Sequence, residues 1–490
     1  MTDTTLADNA AETPVFDLVV VGAGPAGLSA ALTASDHGLR VVVVDEQHDV
    51  GGQIFRQAPS TFRGPPSSAF KSYAFGQPLL ERARRSQSIE WRFGATAWGV
   101  FRPEHNNSVC VAIAQGDHTE LLEGRALIVA TGAYDLPVAF PGWTLPGVMS
   151  AGGVQTLVKS QFIRPGKRFV LAGSHPLLLL VADLLVQAGA EVVEVAIARP
   201  RPALKELLAG WPAVPGHLGL LAQTAQSLRR VLRHGVPIRF GTLVLRAEGD
   251  EAVQRVTLCN ADHDWQAVPG TERTVDADTL VVGFGLLASS ELARQAGCVS
   301  EWKPAEGGWV VQHDEGMRTS VERVYVAGEP AGVQGAELAF LEGRLAALSV
   351  VADAHPGAPL PKRQDAQHKT RRAIAQAHRF TDVVLRFFAP RLDALARLPT
   401  ADTVVCRCEE VTLGTVQRFL ADNPHVSDVN SVKLACRTGM GFCQGRYCQH
   451  TVAHVLAQAR QTAVKDLGVF TAQVPVKPIS VAALGQLKLN

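Results

Sequence analysis

The chain contains no CxxC pair, although it has eight cysteines among its 490 residues. That absence removes two classes at once: a zinc ribbon is built on two CxxC knuckles, and dithiol redox catalysis uses the same spacing. The first residues, MTDTTLADNAAETPVFD, lack both the basic start and the apolar stretch of a secretory signal. Long hydrophobic runs are missing too. Segments such as Leu177 to Val186 stop well short of the roughly 18–20 apolar residues that cross a bilayer, so no transmembrane segment is expected. Charge imbalance is also missing: a net charge of +1 offers no reason to expect nucleic acid or a charged membrane surface as partner. Free cysteines with no leader or anchor point to the cytoplasm, with any attachment to the inner membrane being peripheral, through an electron acceptor.

A hydrophobic content of 47% with ordinary charge indicates a globular chain, and 490 residues suit two to four domains. After the polar lead comes Asp17-Leu-Val-Val-Val-Gly22-Ala-Gly24-Pro25-Ala26-Gly27-Leu, then Leu39-Arg-Val-Val-Val-Val-Asp45-Glu46. This reads as a buried strand, a GxGxxG turn, an alanine-rich helix and a second strand ending in acid. The first glycine permits the tight turn, the second admits a pyrophosphate to the backbone, and the third packs helix on strand. The pyrophosphate then lies at a helix N-terminus, where unpaired N–H groups and the dipole favour negative charge. Asp45 is the expected ribose ligand because it directly follows the four-valine strand, with Glu46 as the alternative. Next come Gly51, Gly52, Gln53 and Arg56. Paired glycines here are used by FAD proteins of the glutathione-reductase type to pass close to the flavin; Arg56 meets a phosphate or a substrate carboxylate, or is an ordinary surface arginine.

Two later segments favour FAD as this first dinucleotide. Ala126-Leu-Ile-Val-Ala130-Thr131-Gly132 resembles the ATG motif of two-dinucleotide flavoproteins. Arg323-Val-Tyr-Val-Ala-Gly328-Glu329 resembles their late flavin motif, with Glu329 where aspartate is usual and still able to accept from a ribitol hydroxyl. From Gly335 to Leu348 the chain reads as the helix whose N-terminus faces the flavin ring. Between these segments lies a second βαβ unit opening at Arg168-Phe-Val-Leu-Ala-Gly173-Ser174-His175-Pro176. A nicotinamide site would need GxGxxG here, but only Gly173 survives and His175 obstructs the second position. The fold, with Arg199 and Arg201 beyond its second strand, still suits a structural adenine nucleotide.

Near the C-terminus stand Cys406-Arg-Cys408 and Cys436-Arg-Thr-Gly-Met-Gly-Phe-Cys443-Gln-Gly-Arg-Tyr-Cys448. Clustered intracellular thiolates hold zinc, form disulfides or bind iron–sulfur clusters. A CxC pair with a distant Cx4C pair suits two irons, each pair of thiolates holding one. The expected ligands of a [2Fe–2S] cluster are therefore Cys406, Cys408, Cys443 and Cys448, with zinc as the alternative. Gly439, Gly441 and Gly445 let backbone N–H groups reach the sulfurs. Cys436 is left over, either a small buried side chain or an alternative ligand.

Together, DEQ…GGQIFR, ATGAYDLPVAFPGWTLPGVMSAGGVQ, LAGSHPLLLL, VVGFGLLASSELARQAGC and CRCEEVT…CRTGMGFCQGRYC resemble the α (A) subunit of bacterial opine oxidases. They are similar also to dye-linked proline and hydroxyproline dehydrogenases, the FAD-bearing subunit of hydrogen cyanide synthase and part of the sarcosine oxidase α chain. The resemblance covers nearly everything from Asp17 onward. It implies an α/β two-dinucleotide-binding, glutathione-reductase-like flavoprotein with a small C-terminal α-rich [2Fe–2S] domain of the bacterioferritin-associated ferredoxin type. The expected divisions are an FAD domain over 14–150 and 276–352, a degenerate NAD(P)-type nucleotide domain over 151–275, a linker and helix over 353–400, the cluster domain over 401–462 and a tail over 463–490. Cys436 stands where relatives usually have threonine. The resemblance further implies a β subunit resembling D-amino acid oxidase that oxidises the C–N bond of an opine or imino acid on its own FAD. In some members it implies a small ferredoxin-like γ subunit or an FMN held at a subunit interface. The chain is thus expected to relay electrons from that partner to a quinone or similar acceptor. An NAD(P)H-dependent reductase, and a redox sensor without catalysis, are the alternatives.

Overall fold

The strand Leu18–Val21 is buried along its whole length and pairs in parallel with Val41–Asp45 on one side and Leu127–Val129 on the other. Strands covered on both faces read as unbroken apolar runs, which is why these valines do not alternate with polar residues. Ile89–Phe93 and Val324–Val326 complete a five-stranded parallel sheet, ordered Val324–Val326, Leu127–Val129, Leu18–Val21, Val41–Asp45, Ile89–Phe93. Its 324–326 edge returns only after a second sheet has been built. That second parallel sheet runs Ile238–Phe240, Glu191–Ile197, Arg168–Gly173, Thr279–Gly283, Val148–Ser150. Each sheet carries a three-stranded antiparallel meander, one starting at Thr96 and the other at Thr242. The result is the two-dinucleotide-binding α/β architecture expected from the motifs. This computed structural model describes residues 16–486 apart from 60, 63–72, 103–107, 204, 207–209, 211–213, 215 and 356–360, with no side chains described at 361–363.

Helices Pro25–Asp36 and Ala336–Ala354 cover the first sheet and cross each other at backbone contact. A Cβ on Gly343 would lie 2.0 Å from the Ala26 carbonyl oxygen, and one on Gly27 would lie 1.7 Å from that of Gly22.

Beyond residue 361 the chain is mostly helical. The helix expected within 353–400 is broken in two, Pro361–Phe388 and a single turn at Leu392–Leu395. Pro390 has no N–H to donate and holds its predecessor out of helical geometry. The helix Leu413–Asp422 starts where it does because the Thr412 side chain accepts from the Thr415 N–H and caps it. Within the expected linker, residues 356–360 lie outside the described residues, while one helix runs on to Ala354 and the next opens at Pro361. Val429–Cys436 and Gln449–Arg460 complete the C-terminal helices. Val405, Cys406, Val452 and Leu456 share a core with Val170, Ala172 and Leu280 of the second sheet, and Trp143 Nε1 donates to the Val404 carbonyl at 2.6 Å. The segment after 463 crosses back to the first half, where the Val476 N–H donates to the Trp98 carbonyl at 2.8 Å and Lys477 pairs with Glu46 at 2.6 Å. Among the described residues no helix is long and apolar enough to cross a membrane.

Alanine at Gly343 must push the two crossing helices apart. The variant is expected to lose about 1–3 kcal/mol of stability, read as a lower denaturant midpoint; an unchanged midpoint would show that the crossing yields freely.

Candidate flavin and iron–sulfur sites

Motifs far apart in sequence meet at the C-terminal ends of the first sheet. Gly22, at φ +110°, is so near the 130–132 turn that a Cβ there would sit 2.2 Å from the Ala130 carbonyl oxygen. A Cβ on Gly52 would lie 2.7 Å from Gly24 Cα, and one on Gly328 would lie 2.9 Å from Ala26 Cβ. Gly132 faces the Glu329 carboxylate, with 3.8 Å from a built Cβ to Oε2. Gln53 Nε2 donates to the Ala133 carbonyl at 2.8 Å, and Thr131 Oγ1 donates to the Ser289 carbonyl at 2.6 Å. Gly22, Gly24, Pro25, Ala26, Gly27, Gly52, Gln53, Ala130, Thr131, Gly132, Gly328 and Glu329 thus border one crevice, where open α/β sheets take their ligands. Pro25 opens the helix, and the first N–H groups of that helix have no partner within it. A crevice floored by glycines at a helix N-terminus fits a pyrophosphate. Gly335, at φ +95°, stands away from these contacts as the cap of Ala336–Ala354.

The two acids after the second strand separate clearly. Asp45 turns inward and accepts from the Ala23 and Gln47 N–H groups, and burial pushes its carboxyl upward. Glu46 is engaged with Lys477 of the tail. Glu329 is half-buried; desolvation pushes it up to about 7, with the Ala133 N–H pulling the other way. Behind it lies Glu342, which sequence reasoning missed. Its Oε2 accepts from the Gly328 N–H at 2.8 Å, and burial pushes it up to about 8. The available signal was a carboxylate inside the apolar run of the late helix. Arg56 is half-buried and donates to Thr156 Oγ1 at 3.2 Å. Beside it, Lys159 donates to the Ile54 carbonyl at 2.7 Å; burial, with Arg56 nearby, pushes the lysine down to about 8.

The second dinucleotide turn is closed from within. The Ser174 and His175 N–H groups both donate to the Gly283 carbonyl at 3.0 Å, and the Leu177 N–H donates to His175 Nδ1 at 3.3 Å. The donors that would cradle a pyrophosphate are spent, and burial pushes His175 down to about 4, which leaves it neutral. Arg199 is occupied as well: it donates to the Phe387 carbonyl at 2.6 Å, reaches Glu206 at 3.2 Å and lies over the Phe387 ring.

The cysteines at 406, 408, 443 and 448 come together, so that the Cys448 thiol feels Cys406, Cys443 and Cys408 at once. The strongest influence on the Cys406 thiol is that of Cys448, and Cys408 lies beside Cys443. The strand Val404–Cys406 ends at its cysteine, and Cys408 sits in the turn that follows. Cys406 and Cys448 are buried, whereas Cys408 is exposed. The Cys448 thiol, then the Gly439, Glu409 and Cys408 N–H groups, draw Cys406 down to about 6. Gly445 and Tyr447 N–H groups serve Cys443, and Gly441 approaches so closely that a Cβ would lie 2.3 Å from that of Cys408. Among the described residues no three His, Cys, Asp or Glu side chains are arranged to hold a single metal ion. Two thiol pairs with backbone donors suit a two-iron cluster better than one zinc. Cys436 is buried at the end of its helix, where burial pushes its thiol up.

Fold and donor set define a flavoprotein oxidoreductase with an iron–sulfur module. Residues 16–345 match the pyridine nucleotide-disulphide oxidoreductase family and residues 404–458 the BFD-like [2Fe-2S] binding domain, which implies FAD in the first part and a [2Fe–2S] cluster in the second. The chain is 34% identical over 494 residues to the α (A) subunit of opine oxidase from Agrobacterium tumefaciens (strain Ach5), covering 96% of this chain and 92% of that protein. It is 32% identical over 477 residues to hydrogen cyanide synthase subunit HcnB of Pseudomonas protegens, covering 95% and 96%. L-proline dehydrogenase from P. horikoshii shares the fold, with a TM-score of 0.69 at 20% identity over 96% of this chain and 79% of that one. The chain belongs to the family that includes the α (A) subunits of opine oxidases.

Glu329 and Glu342 both have folded values raised above their unfolded ones. Their contribution to the stability of the cofactor-free chain is therefore complete below about 4.5 and is lost as pH rises through about 7 and 8. Denaturant midpoints should fall between pH 5 and pH 9, and Glu342→Gln should flatten the upper part of that fall; an equal fall in the variant would place the titration elsewhere. For the cysteines, Cys436→Ala should keep the visible absorption of the cluster while Cys448→Ser loses most of it. Loss in both would make Cys436 a ligand.

Proposed function

We propose that this chain is the FAD- and [2Fe–2S]-bearing subunit of a heteromeric dehydrogenase or oxidase for opines, proline, hydroxyproline or related amines. In this reading the partner is a flavoprotein subunit resembling D-amino acid oxidase, which oxidises the C–N bond. Electrons then pass to this chain and on to a quinone or similar acceptor at the cytoplasmic face of the inner membrane. The observation that carries the reading is the closed second turn: with its donors spent on Gly283 and His175 in place of glycine, it offers nicotinamide no cradle. An oxidoreductase with no such entry needs another electron donor, and similar chains are named as subunits of opine oxidase and hydrogen cyanide synthase.

Bound together, a flavin that takes up two electrons and a cluster that holds one supply the conversion from pairs to single electrons. The chain's own residues bind and orient. The Gly22, Gly24 and Gly27 turn with Pro25 and Ala26 receives the pyrophosphate, and Asp45 the ribose. Gly52, Gln53, Ala130, Thr131, Gly132, Gly328 and Glu329 line the flavin side, with Gly335 capping the helix behind. Arg56, beside Lys159, offers paired positive charge to a phosphate or substrate carboxylate. Cys406, Cys408, Cys443 and Cys448 hold the cluster. An FMN at the partner interface and a small ferredoxin-like subunit remain part of the proposal. A structural adenine nucleotide in the second fold would depend on Arg201, since Arg199 is committed to Phe387 and Glu206.

An anaerobic visible spectrum tests this. The purified holo-chain should keep its flavin band on addition of NADH or NADPH, and should bleach only when the partner flavoprotein and an opine or imino acid are both present. Rapid bleaching by nicotinamide in the chain alone would replace this reading with that of a self-sufficient reductase.

A further inference from the structure

One buried ionic group belongs to neither cofactor cradle. Tyr134 follows the 130–132 turn, Glu291 and Arg294 project from the short helix Glu291–Gln295, and Arg446 lies between Cys443 and Cys448. Tyr134 Oη donates to Glu291 Oε1 at 3.1 Å, Arg446 Nη2 is 3.4 Å from Glu291 Oε2, and Arg294 Nη2 is 3.9 Å from Oε1. The charged side chains are nearly sealed from solvent, at 8% exposure for Glu291, 9% for Arg294 and 13% for Arg446. The other arginine donors reach backbone oxygens: Arg294 Nη1 that of Phe470 at 2.8 Å, Arg446 Nη2 that of Val476 at 3.0 Å and Nη1 that of Cys443 at 3.3 Å. Arg294 Nε has no hydrogen-bond partner.

Two guanidiniums share one carboxylate, so the group carries an unbalanced positive charge in the interior. Stability alone does not account for it, because burying a second, partly paired cation costs more than an apolar contact of the same size. Its place does account for it. The carboxylate comes from the flavin half, and Arg446 is flanked by two cluster cysteines and bonded to the carbonyl of one. A buried charge is screened far less than one in water, and a positive charge near an iron–sulfur centre favours the form with the added electron.

We propose that Arg446, oriented by Glu291, raises the reduction potential of the cluster, so that this ion group sets the direction in which electrons leave the flavin half. The proposal rests on the cluster being held at Cys406, Cys408, Cys443 and Cys448.

Redox titration of the holo-chain, following the cluster by EPR and the flavin by absorbance, reads the effect directly. Arg446→Gln should make the cluster at least tenfold harder to reduce at fixed ambient potential, a shift of about 59 mV to the negative, while Arg446→Lys stays near the parent. Glu291→Gln should shift the cluster the opposite way. Opposite signs separate an electrostatic role from a merely structural one, which would move both variants alike. Equal or same-sign shifts with the cluster intact would overturn the proposal. If Arg446→Gln loses its cluster, Arg294→Gln removes the same unit of charge from the same group and must also shift the cluster negative, or the proposal falls. A parent chain without any cluster would instead defeat the cofactor reading.

Discussion

Close approach at glycines holds this protein's first nucleotide fold together. Gly22 on Ala130, Gly52 on Gly24, Gly328 on Ala26 and Gly343 on the Ala26 carbonyl leave no room for a side chain at any of these positions. Each contact joins segments that are remote in sequence, so the flavin crevice is less a pocket in one element than the seam where four meet. The same absence of side chains that lets the segments touch also exposes their N–H groups to a pyrophosphate. Packing and binding are thus met by one set of residues, and a substitution that damages one damages the other.

The two nucleotide folds show how much a local change can alter an otherwise shared architecture. Both offer a parallel sheet with a strand–turn–helix opening. In the first the turn stays open, and in the second Gly283 accepts the very donors that a dinucleotide would need. The second fold therefore serves as a platform. Its core runs on into the cysteine-bearing segment, and Trp143 pins the strand carrying Cys406. A fold that ordinarily binds a nicotinamide dinucleotide here backs the cysteine-bearing segment instead.

Much of this was legible in the sequence because it is local. Glycine spacing after a valine strand, the acid ending the next strand and the paired CxC and Cx4C segments each state their chemistry within a dozen or so residues. What escaped notice depends on distance. Glu342 is one helical glutamate among others until Gly328 is brought to it. Glu291, Arg294 and Arg446 read as ordinary surface charge until two halves of the chain close over them. The meeting of the thiols is equally non-local: the strand Val404–Cys406 ends at its cysteine, and Cys408 lies in the turn that follows, so neither shows from its own segment that it faces Cys443 or Cys448. The break at Pro390 was visible in principle, since proline states its own constraint, but a helical pattern on both sides concealed it.

The late return of Val324–Val326 to the first sheet has a consequence for how the molecule is made. That strand cannot dock beside Leu127–Val129 until everything between them has been synthesised. Until it is made, the first sheet has one edge unpaired, and the helix carrying Glu342 and Gly343 comes later still in the chain. Non-local closure of this kind is slow and leaves an adhesive edge open meanwhile. Early availability of flavin, laid against the glycine turn, would give the waiting half something to fold around.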